Sequence, residues 1–450
     1  MNEYLRNIGL LLLAFSCSNF VQAQNDEVYD LPALLEYALE NSFDMQIFEK
    51  EVLLNQSELY QQKKTFYPRV DAYVNYQWYL GNLPEYWFPE DEGSVLSSGN
   101  SDGPYSVQLG LPQNLFMGVR FNQPLFDYRF TLNKEGDKLM KGLELARKRS
   151  RIEELIIKIG TSYYEYHALS GKMEMINFGI KRLTTALRVS EIRVENELAE
   201  PIELDKIKYQ LAKLSIRKTE LTDGLVLKTK QLQFLAGFPS DYNLKISKED
   251  PSQLNIQSRE IQTTAKSELL EASKDINQLQ FQQERSANLP KLDLYADLGM
   301  QSQSEDLNFF NQEAINNVSM LGLKLHIPVY TPDKRTSEQF RIENEKVELQ
   351  KDQLEYAQKL QLEKERIKIS SLTEQYLQEK QLVELSDKLY EGEIERFELG
   401  LVSIKELQDA GEEYYRVSAE MLGTYYAIRI SELNYLESSG HLLEFFNVTP

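Results

Sequence analysis

The sequence predicts a mainly α-helical chain with a small β part, arranged as an internal two-fold repeat. Breakers are scarce: the 450 residues include only 21 glycines and 14 prolines, and no proline falls between Pro124 and Pro201 or between Pro332 and Pro450. Those two intervals are rich in Leu, Glu, Lys and Gln, which favour helix. Four short segments instead alternate apolar and polar residues at the period of a strand, and they come as two matched pairs.

Residues 1–23 carry Arg6, an apolar run from Ile8 to Phe15, then Val21 and Ala23. This pattern reads as a secretory signal peptide cut after Ala23, because the run is too short to span a bilayer. Cys17, the single cysteine, offers an alternative: lipid attachment after cleavage just before it. With cleavage after Ala23 the mature chain has no thiol, and packing alone must hold it together. No later stretch holds about 18 consecutive apolar residues, so entry into a membrane would require a closed barrel.

The first repeat is assigned to residues 24–240: a helix, strands at about 66–80 and 115–128, then a long helical hairpin. The second covers 241–450 in the same order, with strands at about 289–302 and 317–330. A helix from Leu132 to Glu195 would run about 95 Å, and one from Asp333 to Glu398 about 100 Å. Val347, Leu354, Ala357, Leu360 and Ile367 step by seven, three, three and seven, which predicts a coiled-coil seam.

The repeat rests on three alignments. FYPRVDAYVNYQW (66–78) matches NLPKLDLYADLGM (288–300), MGVRFNQPLFD (117–127) matches LGLKLHIPVYT (321–331), and VENELAEPIELDKIKYQ (194–210) matches ERFELGLVSIKELQDAG (395–411). The pairs include Tyr73 with Tyr295, Gly118 with Gly322, Leu198 with Leu399 and Ala199 with Gly400. In the first strand Val70, Ala72, Val74, Tyr76 and Trp78 share one face, and Arg69, Asp71, Tyr73, Asn75 and Gln77 the other. Each strand is as long as a tilted membrane-spanning one, although a half-buried strand of a soluble sheet has the same period. Four strands cannot close a membrane barrel, since about eight are needed, so copies of the chain would have to pool them.

Composition narrows the function. Asp and Glu outnumber Lys and Arg 70 to 50, a net charge of -20 that argues against nucleic acid as a partner. The three histidines, His167, His326 and His441, lie far apart with no metal-ligand spacing, and no glycine-rich phosphate loop occurs. No metal, cofactor or enzymatic activity is therefore expected.

The opening segment 30–73, the strand pairs, LAGFP (235–239) and RFELGLVSIKELQDA (396–410) together resemble the TolC family of outer-membrane channels, over nearly the whole chain after the leader. The last piece is the most specific, with Gly400 and Ser403 at the tip of a coiled coil. The resemblance implies a homotrimer in which each subunit gives four strands to one twelve-stranded transmembrane β-barrel among outer-membrane lipid. A coiled-coil α-helical barrel would continue it through the periplasm. It also implies a passive exit duct of a tripartite efflux or type I export system, partnered by a periplasmic adaptor (membrane fusion) protein and an inner-membrane pump of RND, ABC or MFS type. Two departures stand out: Ser42 replaces a common Asn-Pro pair, and Ala199 replaces glycine at the first tip.

By the same resemblance the duct is gated at its periplasmic end by Glu406, Asp409 and Asp205; the first two fall on paired acidic positions at the narrow end, gathered into rings by a threefold axis. Three residues apart, they share a helix face, although an ordinary solvated acidic face would look the same. Asp205 aligns with Glu406, and Lys208 with Asp409. The tips Leu198, Ala199, Glu200 and Pro201, and Leu399, Gly400, Leu401, Val402 and Ser403, are the expected adaptor-docking surface. Gly400 permits the tight turn and Pro201 suits a first helical turn. Tyr67, Trp78, Tyr79, Trp87 and Tyr330 are candidates for interfacial aromatic belts, with Trp87 placed in the long loop from Gly81 to Asn114. The competing reading is a periplasmic coiled-coil scaffold or adhesion rod without a pore, which would purify without detergent.

Overall fold

The computed structural model describes residues 28–81, 83, 85–88, 105–108, 110–249, 262–286, 288–310, 315–329 and 334–449. The expected leader with Cys17, and Tyr330, lie outside the described residues. In chain order the elements are β1 (Val28–Tyr29), α1 (Leu31–Asn41), α2 (Phe43–Lys64), β2 (Arg69–Trp78), β3 (Glu85–Phe88), β4 (Tyr105–Gln108), β5 (Gln113–Phe126) and α3 (Arg129–Glu195). Then follow α4 (Pro201–Ala236), β6 (Lys245–Ile246), α5 (Ala265–Ser286), β7 (Lys291–Ser304), β8 (Ile315–His326), α6 (Lys334–Glu398), α7 (Ile404–Ser439) and α8 (Leu442–Phe445). Helices α3 and α6 run 67 and 65 residues without a break, as the absence of proline requires. No helix among the described residues is long and apolar enough to cross a membrane.

The chain divides into two compact units, each drawn from both halves of the sequence: Glu51–Leu145 with Leu269–Lys351, and Met1–Lys50 with Ala146–Glu268 and Asp352–Pro450. The first contains an antiparallel four-stranded sheet in the order β2-β5-β7-β8. The loop between Gly81 and Asn114 adds a second, two-stranded sheet, β3 with β4, which periodicity did not reveal because each strand is only four residues long.

The second unit is helical. Its main core packs Leu34, Leu35 and Ala38 of α1 against Ile156 and Ile159 of α3 and Leu232 of α4. Asp30 starts α1 by accepting the Ala33 N–H at 2.9 Å. Ser42, the departure from the expected Asn-Pro, is buried and serves both neighbours: its N–H bonds the Ala38 carbonyl to end α1, and its hydroxyl accepts from the Met45 N–H at 3.4 Å to begin α2. In LAGFP, Gly237 ends α4 at φ 83° with its Cα against the Asn41 carbonyl, and Phe238 stacks between Tyr37 at 3.9 Å and Tyr242 at 4.8 Å. Helices α3 and α7 meet along a run of small residues: a Cβ added at Gly160, Gly171 or Gly179 would lie 2.5–2.8 Å from Leu433, Leu422 or Tyr415 respectively.

Of the predicted α6 seam, Val347 and Leu354 are half-buried in the single chain. Leu360 and Ile367, each 61% exposed, are outside, while Leu362, Glu365, Ile369, Glu379 and Tyr390 are buried. The helix carries two stripes, and two glutamates in the buried one disguise it. Each is bonded by a glutamine four residues earlier, Gln361 to Glu365 at 2.7 Å and Gln375 to Glu379 at 2.8 Å.

Candidate functional site

Two regions hold the expected functional residues, the sheet and the helical tips. In the sheet, directly opposed residues of antiparallel strands point to the same face. One face is apolar: Val70, Val74 and Trp78 of β2, Met117, Val119 and Phe121 of β5, Leu292, Leu294 and Leu298 of β7, and Leu321, Leu323 and Leu325 of β8. It is uncovered in the single chain, with Val74 72%, Leu321 75% and Leu323 63% exposed. Tyr67 precedes β2 and Trp78 and Tyr79 end it, so exposed aromatic rings bound the strand at both ends. Trp87 lies on β3, opposite Ser106.

The other face is polar and internally paired. Asp297 is buried because Arg120 reaches its Oδ2 with Nε at 3.0 Å and Nη2 at 2.8 Å, while the Tyr73 hydroxyl donates to Oδ1 at 2.8 Å. Tyr73 lies across the sheet with its hydroxyl against Gly299 of β7, where an added Cβ would meet it at 3.2 Å, and the Tyr295 ring lies against its cross-strand partner Gly322, where a Cβ would meet it at 2.6 Å. Asp71 opposite Arg120 and Asp293 opposite Lys324 repeat the charge pattern. Both outer edges, β2 and β8, lack a further strand among the described residues.

At the second tip, Gly400 has φ 74°, and Leu401 N–H bonds the Arg396 carbonyl at 2.8 Å before α7 starts at Ile404. At the first, the left-handed residue is Glu197 at φ 59°, Leu198 N–H bonds the Arg193 carbonyl at 2.7 Å, and α4 starts with Pro201. The two turns are therefore the same Schellman closure. The equivalent residues are Glu197 with Gly400, Leu198 with Leu401, and Pro201 with Ile404. This corrects the alignment that set Ala199 on Gly400: by turn geometry Glu203, and not Asp205, matches Glu406, and Lys206, and not Lys208, matches Asp409. Letter matching missed this because a glutamate occupies the left-handed position.

Glu406, Asp409 and Asp205 are all exposed. Glu406 is already engaged: its Oε2 accepts the Ser403 N–H at 2.7 Å and the Ser403 hydroxyl at 3.0 Å, completing a capping box. The backbone bond first, and the hydroxyl second, hold its carboxyl below the usual glutamate range. The Ser-x-x-Glu spacing in SIKE is the signal that could have revealed this role. Asp409 lines a groove of about 870 Å³ with Lys213, Leu214, Arg217, Tyr415 and Arg416.

Below the tips lies a small core of Ile207, Tyr390, Phe397, Ile404 and Leu407. Two arginines of α3 fasten α6 to it. Arg193 donates to the Phe397 carbonyl at 3.2 Å beside Gly400, and Arg182 sits 4.3 Å from the Phe178 ring and 5.0 Å from Tyr390. The Arg193–Phe397 and Arg182–Tyr390 contacts have no local sequence signal, since their partners are some 200 residues apart.

Compared by sequence, the chain matches no family profile and no curated protein. By structure it matches solved outer-membrane channels along almost its entire length. One is CusC, a former of transmembrane channels, at 15% identity and a TM-score of 0.68 over 91% of this chain and 92% of that one. Another is the CmeC outer membrane channel of Campylobacter jejuni, at 12% identity and 0.68 over 92% and 86%. A third is the outer membrane protein VceC of Vibrio cholerae, at 14% identity and 0.65 over 91% and 96%. The chain thus has the fold of these channels, the TolC-type fold its sequence resembles.

Proposed function

We propose that the chain is one subunit of a homotrimeric outer-membrane channel, the passive exit duct of a tripartite efflux or type I export system. The carrying observation is the open four-stranded sheet, apolar on one face and polar on the other. Its apolar run on β7, Leu292 to Met300, spans about 30 Å along the strand and about 23 Å across a membrane when tilted as barrel strands are. Water alone would not leave such a face uncovered; lipid would cover it, and the polar face would line a wetted lumen. Two exposed heptad stripes support a trimer: Ile202, Tyr209 and Ile216 on α4, and Leu360 and Ile367 on α6.

In this reading the helices are periplasmic. The tips, with the groove beside Asp409, receive the adaptor, whose pump supplies the energy. The chain itself catalyses nothing. A ring of three Asp409 carboxylates narrows the periplasmic end and favours cations. Glu406 serves that helix first as a cap, so Asp409 is the cleaner probe.

The test is reconstitution in a planar lipid bilayer. Discrete conductance steps are expected, larger in Asp409→Ala. A protein that stays monodisperse without detergent and conducts nothing would be the poreless rod instead. Steps of unchanged size in Asp409→Ala would remove the gate and leave the channel standing.

A further inference from the structure

The start of α5 is fastened by two ion pairs to two other helices. Arg149 Nη1 of α3 holds Glu268 Oε1 in the first turn of α5 at 2.7 Å, and Lys266 Nζ holds Glu437 Oε1 of α7 at 2.9 Å. Behind them sits Glu153, one turn along α3 from Arg149 and only 3% exposed. Its Oε1 lies 3.8 Å from Arg149 Nε, and neither atom has a hydrogen-bond partner among the described residues. Arg149 therefore bonds one carboxylate while a second, buried one waits beside its unused nitrogen.

Charge counting makes this arrangement responsive. Three carboxylates, Glu153, Glu268 and Glu437, face two cations, Arg149 and Lys266; the exposed Glu154 also faces Lys266 from α3. With a proton on Glu153 the two bonded pairs, Arg149 with Glu268 and Lys266 with Glu437, each balance one for one. Without it a negative charge is left in a buried place, and burial of an unpaired charge costs several kcal/mol unless a partner turns to it. The nearest partner is Arg149. Glu268 is the carboxylate that can be given up, because its side chain is 36% exposed and water can solvate it.

We propose that this cluster is a proton-operated fastening: ionisation of Glu153 draws the Arg149 guanidinium off Glu268, and the first turn of α5 loosens. Burial, opposed in part by Arg149, pushes the Glu153 carboxyl up to about 7, which sets the exchange near neutrality. The fastening is tight on the acid side and loose on the alkaline side. It does not depend on whether the chain conducts.

Amide hydrogen exchange of the full chain in detergent tests this, following the peptide that spans 262–270 between pH 5.5 and 8.5, with each rate divided by its intrinsic value at that pH. Protection is expected to fall about tenfold across pH 7, the size of a 1.4 kcal/mol change. Glu153→Gln should keep it high and flat; Glu268→Gln, a mild change at a half-buried position, should make it low and flat. A flat wild-type profile, or a step that survives in Glu153→Gln, overturns the proposal. If Glu153→Gln does not fold, a wild-type-sized step persisting in Glu268→Gln overturns it equally.

Discussion

His167 shows how a single buried residue makes stability depend on pH. It is 6% exposed on α3, enclosed by Tyr163 at 4.5 Å, Tyr166 at 5.5 Å and Tyr426 at 5.9 Å. Burial holds its imidazole down to about 4 from the ordinary 6.5. Between these values the unfolded chain binds the proton and the folded chain does not, so stability falls as pH drops from 6.5 to 4. The loss is of order 3 kcal/mol. We expect the melting temperature to decline across that window, and His167→Phe to flatten the decline; an equally steep decline in the variant would clear His167 of the effect.

At this scale the sequence was informative wherever chemistry is local. Gly400 and Pro201 read as turn residues from their own conformational limits, and both act so. Glu197 in the left-handed region was not legible, because nothing in a glutamate announces it. Nor was the Arg120–Asp297 pair, whose members are 177 residues apart and meet only once β5 and β7 register.

The helices obey two kinds of demand, and glycine separates them. In α3, a Cβ at Gly179 would meet the Tyr415 ring at 2.8 Å, and Tyr415 shares a 3.0 Å hydroxyl contact with Tyr390. At Gly142 of α3 and Gly392 of α6, an added Cβ meets no described atom within 4 Å. Gly142→Ala and Gly392→Ala should each stabilise by about 0.5–1 kcal/mol through helix propensity alone. Gly179→Ala gains the same term and should still lose, by displacing Tyr415. Thermal melts of the three variants give the order directly, and a stabilised Gly179→Ala would contradict the packing. The predicted seam of α6 belongs to this scale too: the steps of seven and three pick out an apolar stripe, and its Leu360 and Ile367 are left outward in the single chain.

For the whole molecule, an outward stripe on a long helix needs a cover. If the cover is a second copy, Tyr209→Asp with Ile216→Asp should reduce the detergent-solubilised particle from three chains to one, as measured by light scattering. Three chains retained would place the subunit contact elsewhere. Fold and assembly differ in legibility for a physical reason. Secondary structure follows from period and breakers within one chain, whereas a subunit contact is written in what one chain leaves uncovered.

The strand count has its own consequence. Since the order β2-β5-β7-β8 is antiparallel throughout and four is even, β2 and β8 point in opposite directions. A neighbour that offers its β2 to this β8 therefore continues the alternation, and so does the next. Parity alone lets identical chains extend one sheet around a ring without a mismatched joint; a fifth strand would have forced a parallel junction at every boundary.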